Sequence, residues 1–388
     1  MKKFNYHQPT RIVFGKGRIE ETGEIVKEYG SRCLLVTTPA VAATEAQFER
    51  VREIILASGV ELAHFDQVIP NPTTETSSAG AAIAREHRAD VIVGLGGGSS
   101  MDAAKAIAVE ASHEGSAWDY LFYKKEPTEK TLPVVSISTT SGTGSQVTQV
   151  SVITNPDERD KSALYHPRCF PRVCIVDPEL MLTVPKQVTA ATGFDVFCHA
   201  FESTIHPGRG AYIELLAREA ISIVTSTLPS LLENLGDIEA REIMAWADTL
   251  AGLCIASAGV TLPHGMGMAV GGMYPHVAHG ESLAILYPAC TKFTASSAVE
   301  QYAFMARAIN PDLVQASDEA AADAAYDEIV KFLKSIGLYK NLKDVNMPED
   351  EIEALAKQSM VLPDYQGNPR VATPEEMVAL VKEAYSQT

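Results

Sequence analysis

The 388-residue sequence is sparing with several features that would settle its class quickly. Its six cysteines, Cys33, Cys169, Cys174, Cys198, Cys254 and Cys290, show no C-x-x-C spacing, which argues against a zinc ribbon or a dithiol redox pair and leaves them as reduced core thiols. Lys and Arg number 32 against 49 Asp and Glu, a formal net charge of -17, so the surface lacks the basic excess that binding nucleic acid or anionic lipid requires. No stretch reaches the roughly 18 uninterrupted apolar residues of a membrane span. The opening "MKKFNYHQPTRIVFGKG" carries two lysines but no apolar core of a signal peptide. These deficits predict a cytoplasmic protein that binds neither nucleic acid nor membrane and whose partner is a small molecule or another protein.

What is present is ordinary globular material, 46% hydrophobic and 21% charged, enough to build packed cores. The chain exceeds the roughly 250–300 residues at which one core stops growing, so two domains are expected. Through about residue 185, the runs "RIVF", "CLLVTT", "DVIVGLGGGSS", "LPVVSISTT" and "VCIVDPEL" alternate with helical stretches such as 41–58 and 100–112. That alternation implies βαβ units and a parallel sheet. From about residue 186 the strand signals fade, and long apolar-periodic segments such as "YIELLAREAISIVTSTLPSLLENL" and "PEEMVALVKEAYSQ" read as helices. The expected organisation is an α/β domain over 1–185 and an all-helical domain over 186–388.

Two turns in the first half invite a ligand. "DVIVGLGGGSSMDAAKAIA" is a buried strand entering a Gly-Ser turn and then a helix, where free N–H groups and the helix dipole favour a phosphate. A tight turn with an N-cap accounts for the same residues. The pattern is neither a Walker loop, since no Gly-Lys-Ser/Thr follows, nor a full G-x-G-x-x-G, and it lies far from the first βα turn, so a nucleotide fold other than the common Rossmann order is expected. A second strand ends in "SISTTSGTGSQVT", whose threonines offer hydroxyls. Two such turns at strand ends of one parallel sheet suit a dinucleotide at its carboxyl edge.

In the second half, "GVTLPHGMGMAVGGMYPHVAHGE" sets His264, His276 and His279 among glycines and apolar residues. Histidines in such surroundings are often core or interface side chains satisfied by backbone. Within "ATGFDVFCHAFEST", however, Asp195 and His199 stand four apart in a helical context and project from one face. With His264 and His279 they form one carboxylate and three imidazoles, a set suited to Fe(II), Zn(II) or a similar ion. A helical Asp-His hydrogen bond explains the first pair as simply.

Taken together, "PTRIVFGKG", "GLGGGSSMDAAKA", "TTSGTGSQVT", "VDPEL", "TGFDVFCHAFES", "LPHGMGMAVGGMYPHVAHG" and "GNPRVATPEEM" resemble, in this order and through nearly the whole chain, the iron-containing (group III) alcohol dehydrogenases. The resemblance implies a dehydroquinate synthase-like fold, an N-terminal α/β nucleotide domain and a helical metal-binding domain, with NAD(P) and a divalent metal in the cleft between them. It implies a metal held by Asp195, His199, His264 and His279, with Fe(II) ahead of Zn(II) or Mn(II). It also implies cofactor contacts from Gly97, Gly98, Ser99, Asp102, Thr139, Thr140, Thr143, Thr148 and Lys161, and a homodimer. The expected reaction is hydride transfer between the nicotinamide and a small primary alcohol or aldehyde, assisted by a Lewis acid.

Three positions depart from the family pattern. Many members carry a further histidine four residues beyond the third ligand, where this chain has Met268; His276 is then the candidate proton relay. NAD-specific members often place an aspartate after the second strand, where this chain has Thr38 in "LLVTTPAV", so NAD with some tolerance of NADP is expected. "GTGSQ" replaces "GTGSE" through Gln146. Two other readings stand beside the dehydrogenase: a dehydroquinate synthase-like lyase, which would need clustered Lys and Arg near the ligands, and a non-enzymatic interaction protein. His276, Arg168 and Arg209 leave room for an acidic aldehyde or hydroxy acid as substrate.

Overall fold

In the computed structural model residues 3–387 are described. The strands are β1 (Arg11–Phe14), β2 (Arg32–Val36), β3 (Glu61–Phe65), β4 (Val91–Gly96), β5 (Val134–Ser138), β6 (Val150–Asn155), β7 (Asp160–Tyr165) and β8 (Val173–Val176). The first four helices are α1 (Thr22–Lys27), α2 (Glu45–Ala57), α3 (Thr74–His87) and α4 (Gly98–Ser112). Then follow α5 (Lys186–Ile205), α6 (Ala211–Glu233), α7 (Ile238–Ser257), α8 (Leu262–Met273) and α9 (His279–Thr294). The last are α10 (Val299–Ile309), α11 (Asp318–Asp323), α12 (Ala325–Ser335), α13 (Ile352–Gln358) and α14 (Pro374–Ser386). Among the described residues no strand follows β8, so a parallel α/β part precedes a helical part.

Six strands form a parallel sheet in the order β1-β8-β5-β4-β2-β3, which is not the common Rossmann order. Strands β4, β5 and β8 are buried along their whole length, as continuous apolar runs must be when helices cover both faces. One face packs Ile25, Val26, Phe48, Val51 and Ile55 from α1 and α2. The other packs Ala84 of α3 and Ala103, Ala104 and Ile107 of α4.

Two features are absent from the strand runs read in the sequence. Edge strand β3, "ELAHF", buries only Phe65 fully, so it carries little apolar signal. Strands β6 and β7 form a separate antiparallel hairpin, in register from Val150↔Tyr165 to Asn155↔Asp160. Its polar connection, with Arg159 at a φ of 51°, reads as loop.

The chain divides into two compact units, and it passes from one to the other at Pro185 and Lys186. Two segments depart from the single breakpoint expected at 185/186. Residues 3–6 belong with the helical unit: the Tyr6 ring meets Tyr212 edge-on at 4.4 Å, and a Cβ on Gly210 would lie 2.8 Å from Phe4 Cβ. Residues 236–245 belong with the α/β unit, where Arg241 donates to the Val184 carbonyl at 3.0 Å and Lys16 pairs with Glu242 at 3.1 Å. These placements depend on partners far along the chain, which local periodicity does not register.

Within the helical unit, α5 is buried from Thr189 to Ile205 save Thr192, as befits a central helix. Helix α6 is long and apolar enough by length and composition to cross a membrane, but it buries Ile213, Ala217, Ala220, Ile221 and Val224 at helical spacing. That is the stripe of a helix packed on a core, here against α5 and α10.

Candidate metal centre and cofactor turns

The metal candidates converge on a point where α5, α8 and α9 approach one another in the helical unit. Asp195 and His199 sit one turn apart on α5, His264 lies in the first turn of α8, and His279 is the first residue of α9. Gly280 makes the last approach feasible: a Cβ there would stand 1.9 Å from the Ala191 carbonyl oxygen, so only glycine lets the start of α9 rest on α5.

The Nε2 atoms of His199, His264 and His279 lie 3.5, 3.5 and 3.9 Å from one oxygen, Asp195 Oδ1. The donor atoms of Asp195, His199 and His264 all fall within 4.8 Å of one another, and these three side chains are buried. Such separations are long for hydrogen bonds. They suit ligands that each reach about 2.0–2.3 Å to a shared ion. Among the described residues, Asp195 Oδ1 and His264 Nε2 are buried without a hydrogen-bond partner. Buried polar atoms left so are costly, and a divalent cation among them removes the cost. The residues present therefore fit the metal.

Glu202, which no sequence motif singles out, completes the arrangement. It is fully buried, and its Oε1 accepts from His264 Nδ1 at 2.7 Å while Oε2 accepts from the Thr261 backbone N–H at 2.7 Å. A carboxylate only accepts, so Nδ1 carries the proton and the Nε2 lone pair faces the ion site. Its sequence signal was available: Glu202 stands three residues after His199 and seven after Asp195, on the same helical face.

The local field favours a cation. Burial alone would lower the His264 imidazole, but Glu202 and Asp195 outweigh it and raise it to about 10. Burial alone would raise the Asp195 carboxyl, but the imidazoles of His199, His279 and His264 hold it below the usual carboxylate range. A further carboxylate, Asp364, is recessed beside α8, and burial raises it to about 6 against the pull of His264.

His276 is not brought to this cluster. Its ring is exposed, and Nε2 lies 3.0 Å from the Val345 carbonyl. Met268 is buried on α8 one turn beyond His264.

In the α/β unit the two Gly-rich turns leave adjacent strands, β4 and β5, whose last residues Gly96 and Ser138 are partners in the sheet. They then pack together. A Cβ on Gly98 would lie 2.6 Å from Thr143 Cγ2, and one on Gly97 would lie 3.2 Å from Thr140 Oγ1. Gly97 is the N-cap of the 15-residue α4, so the helix N-terminus opens at this junction, which fits a pyrophosphate. Ser99 is half-buried in the first turn of α4, and Thr139 is anchored by its N–H to the Gly96 carbonyl at 3.0 Å. Thr38 follows β2, half-buried, its carbonyl accepting from Thr37 Oγ1 at 2.8 Å.

Three expected cofactor residues are turned into the protein. Asp102 accepts from Ser145 Oγ at 2.6 Å and from the Val152 N–H at 3.1 Å. The fully buried Lys105 donates to the Ser145 carbonyl at 2.8 Å and lies 3.4 Å from Thr148 Oγ1 and 3.7 Å from Asp102. Lys161, on β7, donates to Asn71 Oδ1 at 2.8 Å. Asp102 and Lys105 thus bind α4 to the segment that carries the second turn, and Thr148 belongs to the same network.

The fold and the sequence both have counterparts among known proteins. Residues 9–178 match the family described as iron-containing alcohol dehydrogenase, and residues 189–385 match the C-terminal part of the Fe-containing alcohol dehydrogenase family. The chain is 33% identical to the NAD-dependent methanol dehydrogenase of Bacillus methanolicus over 98% of its own length and 99% of that protein's. It is 31% identical to the 1,3-propanediol dehydrogenase of Klebsiella pneumoniae, with 99% of each covered. Among solved structures, an archaeal halo-thermophilic alcohol dehydrogenase from a Red Sea brine pool superposes with a TM-score of 0.94 at 35% identity, covering 99% of this chain and 100% of that one. The chain belongs to the iron-containing alcohol dehydrogenase family and is an oxidoreductase.

Proposed function

We propose that the protein interconverts a short primary alcohol and its aldehyde with NAD as hydride carrier, tolerating NADP, and with one divalent metal per chain, Fe(II) ahead of Zn(II) or Mn(II). The observation that carries this reading is the grouping of three imidazole Nε2 atoms around Asp195 Oδ1, with Glu202 fixing the His264 tautomer. When bound, the metal supplies Lewis acidity toward an oxygen substituent and the nicotinamide supplies the hydride acceptor or donor. The chain's part is to hold and orient: Asp195, His199, His264 and His279 as ligands, and the junction of Gly97, Gly98, Thr140 and Thr143 as the seat of the phosphates. The methanol and 1,3-propanediol dehydrogenases named above support short primary alcohols as the substrate class. A cytoplasmic homodimer belongs to the same reading.

An acidic substrate draws less support. Arg168 is exposed on a surface turn and Arg209 is paired with Glu214 at 3.3 Å. The test is metal analysis together with a panel of two- to six-carbon aldehydes assayed with NADH and NADPH. The wild type is expected to carry one metal per chain and to reduce unbranched aldehydes, and His264→Ala and His279→Ala to lose both metal and turnover. Full metal content and activity in both variants would overturn the ligand assignment, and an inert, metal-loaded wild type would overturn the reaction.

A further inference from the structure

We propose that Lys105 is a positioning residue for the cofactor, holding the second Gly-rich turn against the first and thereby setting the affinity for the diphosphate; this rests on the cofactor reading above. Lys105 lies seven residues beyond Gly98 on α4, about two helical turns from the N-terminus, and is fully buried. Its ammonium therefore acts on an anion at that N-terminus through other groups. Nζ donates to the Ser145 carbonyl and hydroxyl, each at 2.8 Å, and to the Val150 carbonyl. Both carbonyls only accept, and the Ser145 hydroxyl gives its own proton to Asp102 Oδ1 at 2.6 Å, so three acceptors meet the three N–H bonds of an ammonium. All three belong to residues 145–150, where the chain leaves the second turn. From Ser145 the constraint passes to the junction itself. The Ser145 N–H donates to Thr143 Oγ1 at 3.3 Å, and Thr143 Cγ2 stands 2.6 Å from where a Cβ on Gly98 would be. Gly142 and Gly144 flank Thr143 and give the turn little stiffness of its own. Its place is set by these anchors.

A buried ion pair is a poor source of net stability, because desolvation offsets most of the attraction. Lys105 and Asp102, 3.7 Å apart, are such a pair. Well-packed apolar side chains of similar volume would hold α4 in place at little or no cost in stability. What they lack is directed donors for Ser145 and Val150. The distinctive contribution of the pair is therefore geometric: it fixes where the second turn stands relative to the phosphate-favouring start of α4. Hydrogen bonds to a phosphate hold only over a narrow range of distance and angle, so a turn released from these anchors binds it less well.

Lys105→Met keeps the length of the side chain and removes its donors, whereas Ser145→Ala removes only the hydroxyl. Each variant is loaded with metal, and its metal content and melting temperature are measured. Dissociation constants are taken for NADH by its fluorescence, and for ADP and adenosine by calorimetry. We expect K105M to weaken NADH and ADP alike by at least tenfold, about 1.4 kcal/mol, and adenosine, which has no phosphate, by less than twofold. The loss should appear in KM for NAD rather than in kcat at saturating NAD. A purely structural role would instead lower metal content, kcat and the binding of all three ligands together, and that result overturns the inference. If K105M does not fold, S145A decides: a loss of ADP affinity of threefold or more with adenosine unchanged supports the inference, and a smaller loss overturns it. A folded K105M whose ADP affinity falls by less than threefold overturns this inference alone. A metal-loaded wild type that binds neither NADH nor ADP overturns it together with the proposed function.

Discussion

Replacing Glu202 with glutamine isolates the contribution of a residue that no ligand rule names. In the fold Glu202 accepts on both sides, from His264 Nδ1 at 2.7 Å and from the Thr261 N–H and hydroxyl at 2.7 and 3.2 Å, and it is 0% exposed. Glutamine keeps the shape but has one acceptor oxygen, so its amide NH2 must face a donor on one side. If the oxygen turns to His264, the buried Thr261 N–H is left unsatisfied, at about 1–3 kcal/mol. If it turns to Thr261, the imidazole loses its acceptor and its fixed tautomer. In both cases the negative charge behind the ligand is gone. Loss of such a partner typically weakens metal binding 10- to 100-fold, about 1.4–2.8 kcal/mol.

The assay is competition between the protein, loaded anaerobically with Fe(II) and separately with Zn(II), and a chromophoric chelator. Thermal melts with and without metal run alongside. E202Q should show the weakened metal Kd and a smaller stabilisation by metal, because binding to the native state stabilises in proportion to its affinity. The melt without metal reports the Thr261 side of the change, so the two effects fall on different observables. A folded E202Q whose metal Kd lies within twofold of wild type for both ions would refute the idea that this carboxylate tunes the site.

Thr38→Asp should raise the preference for NAD over NADP by at least tenfold, since a carboxylate after β2 accepts from the adenosine ribose and repels a 2'-phosphate; an unchanged ratio of kcat/KM values would mean that Thr38 does not face that ribose. His276→Ala should leave turnover and metal content near wild type, on the scale of a surface substitution of about 0.5 kcal/mol, because the ring is exposed and held by the Val345 carbonyl. A loss of tenfold or more, with metal retained, would restore the relay role.

The sequence was most legible where chemistry and geometry lie in one short segment. A buried strand, three glycines and a helix start announce their own turn, and Asp195 and His199 four apart on a helix face share a direction whatever the tertiary fold. The meeting of the two turns was less legible. It depends on β4 and β5 being neighbours, with Gly96 opposite Ser138, and strand order is set by packing over the whole sheet. Asp102 has partners that the sequence did not announce. The family resemblance implies a cofactor contact from this residue; in the fold its carboxylate accepts from Ser145 and the Val152 N–H and lies 3.7 Å from Lys105. Lys105, three residues on and fully buried, adds a positive charge 3.7 Å away, beyond the shorter contacts from Ser145 and Val152. Asp364 is a harder case, because nothing local in "VLPDYQGNPR" points to a helix about a hundred residues earlier.

The histidine-rich segment shows why spacing arguments hold within an element and fail across its boundary. His264 and Met268 are four apart inside α8, so they share a face, and the family's usual imidazole position is filled here by a thioether that cannot carry a proton. His276 and His279 are three apart, which would also place them together if both were helical. They are not. Ala278 is the N-cap of α9 in extended conformation, so His279 opens the helix and His276 lies in the preceding loop. The chain reverses its presentation between them: His279 turns toward Asp195, and His276 turns outward to Val345.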